Sequence, residues 1–291
     1  GSTPFARSIK NKIMIIWIAS YPKSGNTYVR SFLSSYYYSK KGKFDFELLL
    51  NIKQFPALKY SSKKAYTFID AAKNWIPNQK NFFKKDKYYF LKTHNSLEEY
   101  FGNKFTTSSE TIGGIYIVRD PRNVISSMCN HYALDLNKAY AKMIDVNSSL
   151  SFKLADEDYS NFTFLGKWSN HYWSWKNNMN FKTLVIKYED LRDNTFEEFR
   201  KIINFIEDLK GTNNEIDEEK LENSINSTSF SKLKNKEKMY GFGESTVSKD
   251  GKPINFFNLG FKNQWENLLP KEMSDKIKDE FINELKDLKY E

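Results

Sequence analysis

Short runs of apolar residues, bounded by polar residues or glycine, predict the strands of this chain. They lie at residues 13–19, 87–92, 114–118 and 182–187, and each is rich in residues that strands favour. The longest run, Ile13 to Ala19, is far too short to cross a bilayer, so we expect no membrane span.

Other apolar residues recur with helical spacing. Pro121 suits the first position of a helix, and Thr195 and Glu198 stand in the spacing of a capping box. A final amphipathic helix is expected over about 271–289. The stripes that predict these helices are Val29, Phe32, Leu33, Tyr36 and Tyr37; Val124, Ile125, Met128 and Tyr132; Trp168, Tyr172 and Trp175; Phe196, Phe199, Ile202, Ile203 and Ile206; and Met273, Ile277, Phe281, Leu285 and Leu288.

Strands that alternate with helices indicate an α/β fold with a central parallel sheet and helices on both faces. Ligands of such sheets bind at the carboxyl ends of the strands, so we expect the chemistry just after residues 19, 92, 118 and 187. We interpret 14–291 as a single domain, in which 40–87 is an acceptor-binding or lid insertion. Residues 1–13 are interpreted as a tag or leader.

Composition narrows the function only slightly. The 291 residues carry a net charge of +9, but the lysines are scattered along the chain, so a nucleic-acid role would rest on net charge alone and is not expected. Cys129 is the single cysteine, which excludes a disulfide framework and fits a reducing, cytoplasmic location. The oligomeric state stays open.

The segment "YPKSGNTY" after the first strand has the features of an anion-binding loop. Backbone N–H groups from Ser24 to Tyr28 at a helix start form an anion-binding nest. Gly25 allows close backbone approach to a ligand, while Lys23, Asn26 and Thr27 offer side-chain donors. The alternative is an ordinary strand–turn–helix connection with an exposed lysine.

Two further segments follow strands. Arg119 ends one strand and Ser127 lies on the next helix, a pair that suits a second phosphate unless Arg119 pairs with Asp120 or another nearby carboxylate. His94 follows the strand before it and suits a general base, although a lone histidine is more often structural. His131 and His171 are interpreted as structural. No cluster has the spacing of metal ligands, so no metal is expected.

Together these segments resemble the sulfotransferases that use 3′-phosphoadenosine 5′-phosphosulfate (PAPS). The resemblance rests on "YPKSGNTY", "KTH", "IVRDPRNVISS" and "TLVIKYEDLRDNTFEEFRKIINFI", in the family's order from about residue 14 to 206. It implies a P-loop nucleotide-kinase-like fold, PAPS as co-substrate, 3′,5′-bisphosphoadenosine (PAP) as product, and no metal. The acceptor is expected to be a hydroxyl on a small molecule, lipid or glycan, with an amine as the alternative.

The resemblance also assigns roles to residues. Lys23 would stabilise the leaving phosphate and His94 would act as general base. The 5′-phosphate would lie on Ser24, Gly25, Asn26 and Thr27, and the 3′-phosphate on Arg119 and Ser127. Tyr28, Tyr188, Thr228 and Phe230 would contact the adenine, and Gly260 belongs to the late nucleotide-binding segment.

That late segment departs from the family's R-K-G-x-x-G-x-W. Here it reads "NLGFKNQW", with Asn258 and Leu259 at the two cationic positions and Asn263 at the second glycine. Lys252 or Lys262 is a possible replacement for the lost charge. The departure supports one alternative, a non-catalytic protein that binds PAP, although Lys23 and His94 speak against it. A separate alternative is a small-molecule kinase on a related P-loop scaffold, against which the missing G-K-[ST] argues.

Overall fold

Five parallel strands form the central sheet in the computed structural model, which describes residues 11–151, 157–212, 214–247 and 251–291. The sheet order is β2-β3-β1-β4-β7, and two short antiparallel hairpins, β5-β6 and β8-β9, lie outside it. The strands are β1 Met14–Ser20, β2 Lys53–Gln54, β3 Tyr88–Thr93, β4 Thr111–Val118, β5 Ser149–Leu150, β6 Thr163–Phe164, β7 Lys182–Lys187, β8 Thr246–Val247 and β9 Pro253–Ile254.

The four strands predicted from apolar runs are confirmed as β1, β3, β4 and β7, all in the central sheet. Alternate residues of β1 face opposite sides, as the pleat requires. Ile15 and Trp17 lie in one hydrophobic core, whereas Ile16 and Ile18 lie in the other. Both cores are covered by helices, so the predicted α/β architecture is confirmed.

Helices pack on both faces of this sheet. Those described are α1 Asn26–Tyr38, α2 Phe68–Lys73, α3 Trp75–Phe82, α4 Pro121–Tyr132, α5 Leu136–Ile144, α6 Trp168–Lys176, α7 Tyr188–Asp193, α8 Thr195–Lys210, α9 Glu218–Ser227, α10 Phe230–Tyr240, α11 Trp265–Leu268, α12 Lys271–Glu280 and α13 Ile282–Asp287. Short 3-10 turns span Phe46–Asn51, Leu58–Tyr60 and Gly260–Lys262.

Two helix predictions are corrected by the structure. Pro121 does begin α4, but the capping box at Thr195 does not form. Thr195 is the first residue of α8 and its hydroxyl donates to the carbonyl of Leu191, 2.8 Å away, so it does not cap the helix. The final helix is also divided, because Phe281 leaves helical geometry between α12 and α13.

The stretch 40–87 contributes to the body of the fold. Its strand β2 pairs with β3 at the sheet edge, and Phe55 and Trp75 are almost fully buried in one core. Gln54 is the residue of this stretch that lines the cavity described below. Residues 1–10 of the predicted leader lie outside the described part of the chain.

Across the described ranges, no helix combines the length and the apolar character needed to cross a bilayer.

Candidate active site

A cavity of about 410 Å³ opens at the carboxyl ends of the parallel strands. This is the edge at which the alternating pattern predicted the chemistry, with β1 flanked by β3 and β4. Most of the predicted site residues line it: Lys23, Gly25, Asn26, Thr27, Tyr28, His94, Arg119, Ser127, Tyr188, Phe230 and Gly260. Residues far apart in sequence are therefore brought together because their strands end at one edge.

The loop between β1 and α1 has an unusual backbone. Lys23 adopts φ 67° and Gly25 adopts φ 102°, both in the left-handed region. A Cβ on Gly25 would lie 2.4 Å from the Tyr188 ring, so glycine is required there for space as well as conformation. A lysine held in this disfavoured conformation is typical of a functional loop.

Several polar atoms around this loop have no partner among the described residues. The Ser24 hydroxyl, Asn26 Oδ1 and Arg119 Nε are all buried and without a hydrogen bond. The Asn26 amide nitrogen, by contrast, is fixed by donating to the Ile18 carbonyl at 3.0 Å. Buried polar groups are normally satisfied, so this cluster of exceptions indicates a place for a polar ligand. Ser24 itself lies behind the cavity wall.

The Lys23 ammonium lies 3.9 Å from the centre of the Phe256 ring. Burial lowers the pKa of Lys23 to about 7; the Glu244 carboxylate opposes this shift, and the nearby charges of Lys92 and Arg119 add to it. The residues around the Lys23 side chain in the cavity thus compensate its charge only in part. An anionic ligand placed there would restore the charged form.

Among the described residues no carboxylate forms a close ion pair with Arg119, although the Arg119 charge acts on the buried Glu189 carboxylate and lowers its pKa against the effect of burial. Asp120 instead pairs with Arg122, with Oδ2 2.7 Å from the guanidinium, so the alternative in which Asp120 neutralises Arg119 is wrong. The Arg119 guanidinium stacks on the Tyr188 ring at 4.4 Å and donates to the Lys23 carbonyl at 3.3 Å. This leaves a fixed cation that is available to a ligand.

Neutral polar groups surround the altered late segment. Ser126, Ser127, Asn130, Asn258 and Asn263 line the cavity, whereas Lys252 and Lys262 do not. Asn263 holds the segment against α4, since its Oδ1 accepts from the Ser126 hydroxyl at 2.7 Å. Neither lysine is therefore part of the cavity wall, and replacement of the lost charge by Lys252 or Lys262 stays a hypothesis.

His94 is held in a defined tautomer. Its Nδ1 lies 2.8 Å from the Ser20 carbonyl, an acceptor only, so Nδ1 carries the proton. No hydrogen bond among the described residues reaches Nε2, which is left as an acceptor in the cavity. Burial, with the nearby charge of Lys92, lowers the pKa of His94 to about 3, and the ring is neutral at neutral pH.

The other two histidines differ from each other. His171 is structural, as interpreted: its Nε2 donates to the His94 carbonyl at 3.0 Å and its Nδ1 accepts from the Tyr116 hydroxyl. His131 lines the cavity, and its Nδ1 is buried without a partner among the described residues. The purely structural interpretation of His131 is therefore not supported.

Aromatic rings form one wall. Phe261 lies at its centre, with ring centroids 5.7 Å from Tyr188, 6.3 Å from Tyr28 and 6.3 Å from Phe230. Sequence reasoning missed Phe261. Thr228 does not reach the cavity, because it is buried at the end of α9 and its hydroxyl donates to the Ser224 carbonyl.

A sequence model described as the sulfotransferase domain matches residues 15–289. The chain belongs to the sulfotransferase family. Among solved structures it is similar to mouse sulfotransferase SULT7A1 complexed with PAP, at 17% identity over 96% of this chain and 86% of that one, with a TM-score of 0.53. It is also similar to retinol dehydratase in a complex with retinol and PAP, at 16% identity over 98% and 86%, with a TM-score of 0.58. No curated protein matches the sequence.

Two charged residues of this sulfotransferase site were missed by sequence reasoning. Lys92 lines the cavity and stands two residues before His94. Because every second residue of a strand faces the same side, the position of His94 could have predicted that Lys92 faces the cavity as well. Glu244 joins it from the β8 side, with Oε2 3.1 Å from Lys92 Nζ. No local pattern predicts Glu244, since its partners lie more than 150 residues away.

Within the described ranges, no group of three or more His, Cys, Asp or Glu side chains is arranged to hold a metal ion.

Proposed function

We propose that this sulfotransferase transfers a sulfuryl group from PAPS to an acceptor hydroxyl, with His94 as general base. The single observation that carries the proposal is that His94, whose Nε2 is the acceptor nitrogen, shares one cavity with the cations Lys23, Lys92 and Arg119. The family membership supports the reaction class, and the PAP complexes of the two similar structures support the donor.

The donor is assigned to the anion-binding loop. Ser24, Asn26 and Arg119 keep buried polar atoms unpaired there, and backbone N–H groups at the start of α1 face the same place. We assign the 5′-phosphate to the loop from Ser24 to Thr27. The 3′-phosphate is assigned to Arg119 and Ser127, and the adenine to the wall of Tyr28, Tyr188, Phe230 and Phe261.

The acceptor oxygen loses its proton to His94 Nε2 as it forms a bond to sulfur. The bond between sulfur and the bridging oxygen breaks, and PAP leaves with the electron pair. Lys23 and Lys92 stabilise the negative charge that develops on the leaving oxygens. Because the sulfuryl group carries less charge than a phosphoryl group, these two ammonium groups are assigned the work that a metal ion does in kinases.

The decisive experiment compares the unaltered protein with His94→Ala. PAP binding is measured by calorimetry, and sulfate transfer from labelled PAPS is measured over a panel of phenols, alcohols and amines. We expect His94→Ala to lose about 10²- to 10⁴-fold in transfer, the usual contribution of a base, and to bind PAP within about threefold of the unaltered protein. Equal turnover by both proteins would remove His94 from the mechanism.

Asn258 and Leu259 favour a second candidate, a non-catalytic protein that binds PAP, because two cations of the family's late segment are absent. The same measurements separate the two candidates. PAP binding without transfer to any acceptor of the panel would favour the non-catalytic protein, whereas transfer by the unaltered protein excludes it.

A further inference from the structure

The carboxylate of Glu244 lies in the anion cradle that we assign to the donor. Its Oε2 accepts from the Thr27 hydroxyl at 3.1 Å and from Lys92 at 3.1 Å, and its Oε1 accepts from Arg30 at 2.6 Å. Thr27 and Arg30 stand one turn apart on the first helix, so α1 and β3 together present three donors to a single carboxylate.

The exposure of these groups shows which of them is fixed. The side chains of Arg30 and Lys92 are only 6% and 8% exposed, whereas Glu244 is 29% exposed at the cavity edge. Arg30 is further fixed by donating to the Ile52 carbonyl at 3.2 Å. The cations therefore belong to the framework, and the carboxylate is the member that can leave.

The backbone around Glu244 has the freedom such a movement needs. Gly241 adopts φ 72° and nothing lies within 4 Å of the place where its Cβ would be; Gly243 has the same open space. Residues of this kind absorb the dihedral changes of a moving loop. The loop is otherwise fastened by Ser245, whose hydroxyl donates to Glu237 at 2.5 Å.

The Thr27 hydroxyl can donate to the Glu244 carboxylate or to the nucleotide, but not to both at once. A threonine hydroxyl has one proton, so it cannot donate to Glu244 and to a phosphate oxygen together. A carboxylate and a phosphosulfate that share Thr27 and Lys92, the two of these donors that line the cavity, would also repel each other. The Glu244 carboxylate thus supplies, next to Lys92, the same negative charge that a bound nucleotide would supply.

We propose that Glu244 is an internal occupant of the donor cradle, which PAPS or PAP must displace from Thr27 in order to bind. This inference rests on the proposed function, since it takes the nucleotide to be the competing anion. It makes the loop 241–245 an autoinhibitory element. The loop sets nucleotide affinity by competition and assists the release of PAP.

The test is PAP affinity by calorimetry in Glu244→Gln, which keeps the shape of the side chain and removes its charge. We expect binding at least tenfold tighter than in the unaltered protein. The matched control is Glu47→Gln. Glu47 is an exposed carboxylate outside the cavity, in a second surface groove that is lined by Glu47, Arg30 and Glu244 among others. The control should bind within twofold of the unaltered protein.

Equal or weaker PAP binding by Glu244→Gln, with binding by the unaltered protein intact, overturns the inference and leaves the proposed function standing. No PAP binding by any of the three proteins overturns both. A crystal structure of the unaltered protein with PAP gives a test that needs no variant. We expect the Thr27 hydroxyl to donate to the nucleotide, and a complex in which it still donates to Glu244 contradicts the inference.

Discussion

Lys23 combines a left-handed backbone with an ammonium that is buried against an aromatic ring. Its pKa of about 7, lowered chiefly by burial, means that the side chain loses its charge as the pH rises through neutrality. A bound anion stabilises the charged form, so nucleotide binding takes up a proton above pH 7. The residue is thus a source of pH dependence within the site.

We expect the affinity for PAP to fall by up to about tenfold per pH unit between pH 7 and 9. Lys23→Arg should flatten this dependence, because a guanidinium stays protonated throughout the range. The measurement is calorimetry at constant ionic strength, in buffers of different ionisation enthalpy so that proton uptake is counted. Lys262→Arg, an exposed lysine outside the cavity, is the control and should keep the slope. An unchanged slope in Lys23→Arg would assign the effect to another group.

Single residues also show where sequence reasoning reached its limit. Lys23, His94 and Arg119 could be predicted because each follows an apolar run that ends at a polar turn. Glu244 and Phe261 could not, because their roles depend on contacts with α1, β3 and α7 that are distant along the chain. Thr228 was misassigned because helix α9 uses its hydroxyl to satisfy a terminal carbonyl.

At the scale of elements, helix α4 carries part of the second anion site. Two residues fix the point at which this helix begins. Pro121 is the first helical residue, and the Asp120 carboxylate accepts from the Arg122 backbone N–H at 2.9 Å. The same carboxylate pairs with the Arg122 side chain, and both side chains are at most 5% exposed. One carboxylate therefore caps the helix and neutralises a buried cation, which keeps Arg119 free for a ligand.

Asp120→Ala should lower the free energy of unfolding by about 3 kcal/mol, the low end for breaking a buried ion pair, because Arg122 retains Glu291. Asp120→Asn keeps a capping side chain and should lower the free energy of unfolding by less than Asp120→Ala does. The control is Asp135→Ala at the exposed start of α5, which loses a cap and a solvent-screened ion pair with Lys138 and should cost clearly less than Asp120→Ala. Urea unfolding gives all three values. Equal losses for Asp120→Ala and Asp135→Ala would show that the ion pair adds nothing.

Elements with strong periodicity were predictable, and elements stabilised by tertiary contacts were not. The strands β1 and β7 follow their apolar runs almost to the residue. The two-residue strand β2 has no such signal, because its register is set by pairing with β3. Phe281 continues the apolar stripe of α12, yet the helix breaks there while that side chain stays fully buried beside Trp168.

At the scale of the whole molecule, the parallel sheet explains how one cavity receives residues from β1, β3, β4 and β7. Three cations line it: Lys23, Lys92 and Arg119. Lys23 and Lys92 are assigned to the leaving oxygens at the 5′ end of the donor. Arg119 is therefore the described cavity cation left for the 3′-phosphate, since Asn258 and Leu259 carry no charge.

Arg119→Gln should weaken PAP binding by about 10- to 100-fold, which corresponds to the roughly 1.5–3 kcal/mol of one charge-assisted contact. It should weaken binding of adenosine 5′-monophosphate, which has no 3′-phosphate, by less than threefold. Calorimetry with both nucleotides gives the ratio, and Lys262→Gln controls for a change of net charge, since that exposed side chain lies outside the cavity. If Arg119→Gln instead lost affinity for both nucleotides to the same extent, Arg119 would be assigned to the 5′ end or to the adenine. Arg119 also stacks on Tyr188. The variant Arg119→Lys keeps the charge and loses this planar stack. It should therefore recover the ratio of the PAP affinity to the adenosine 5′-monophosphate affinity, but not the full affinity for PAP.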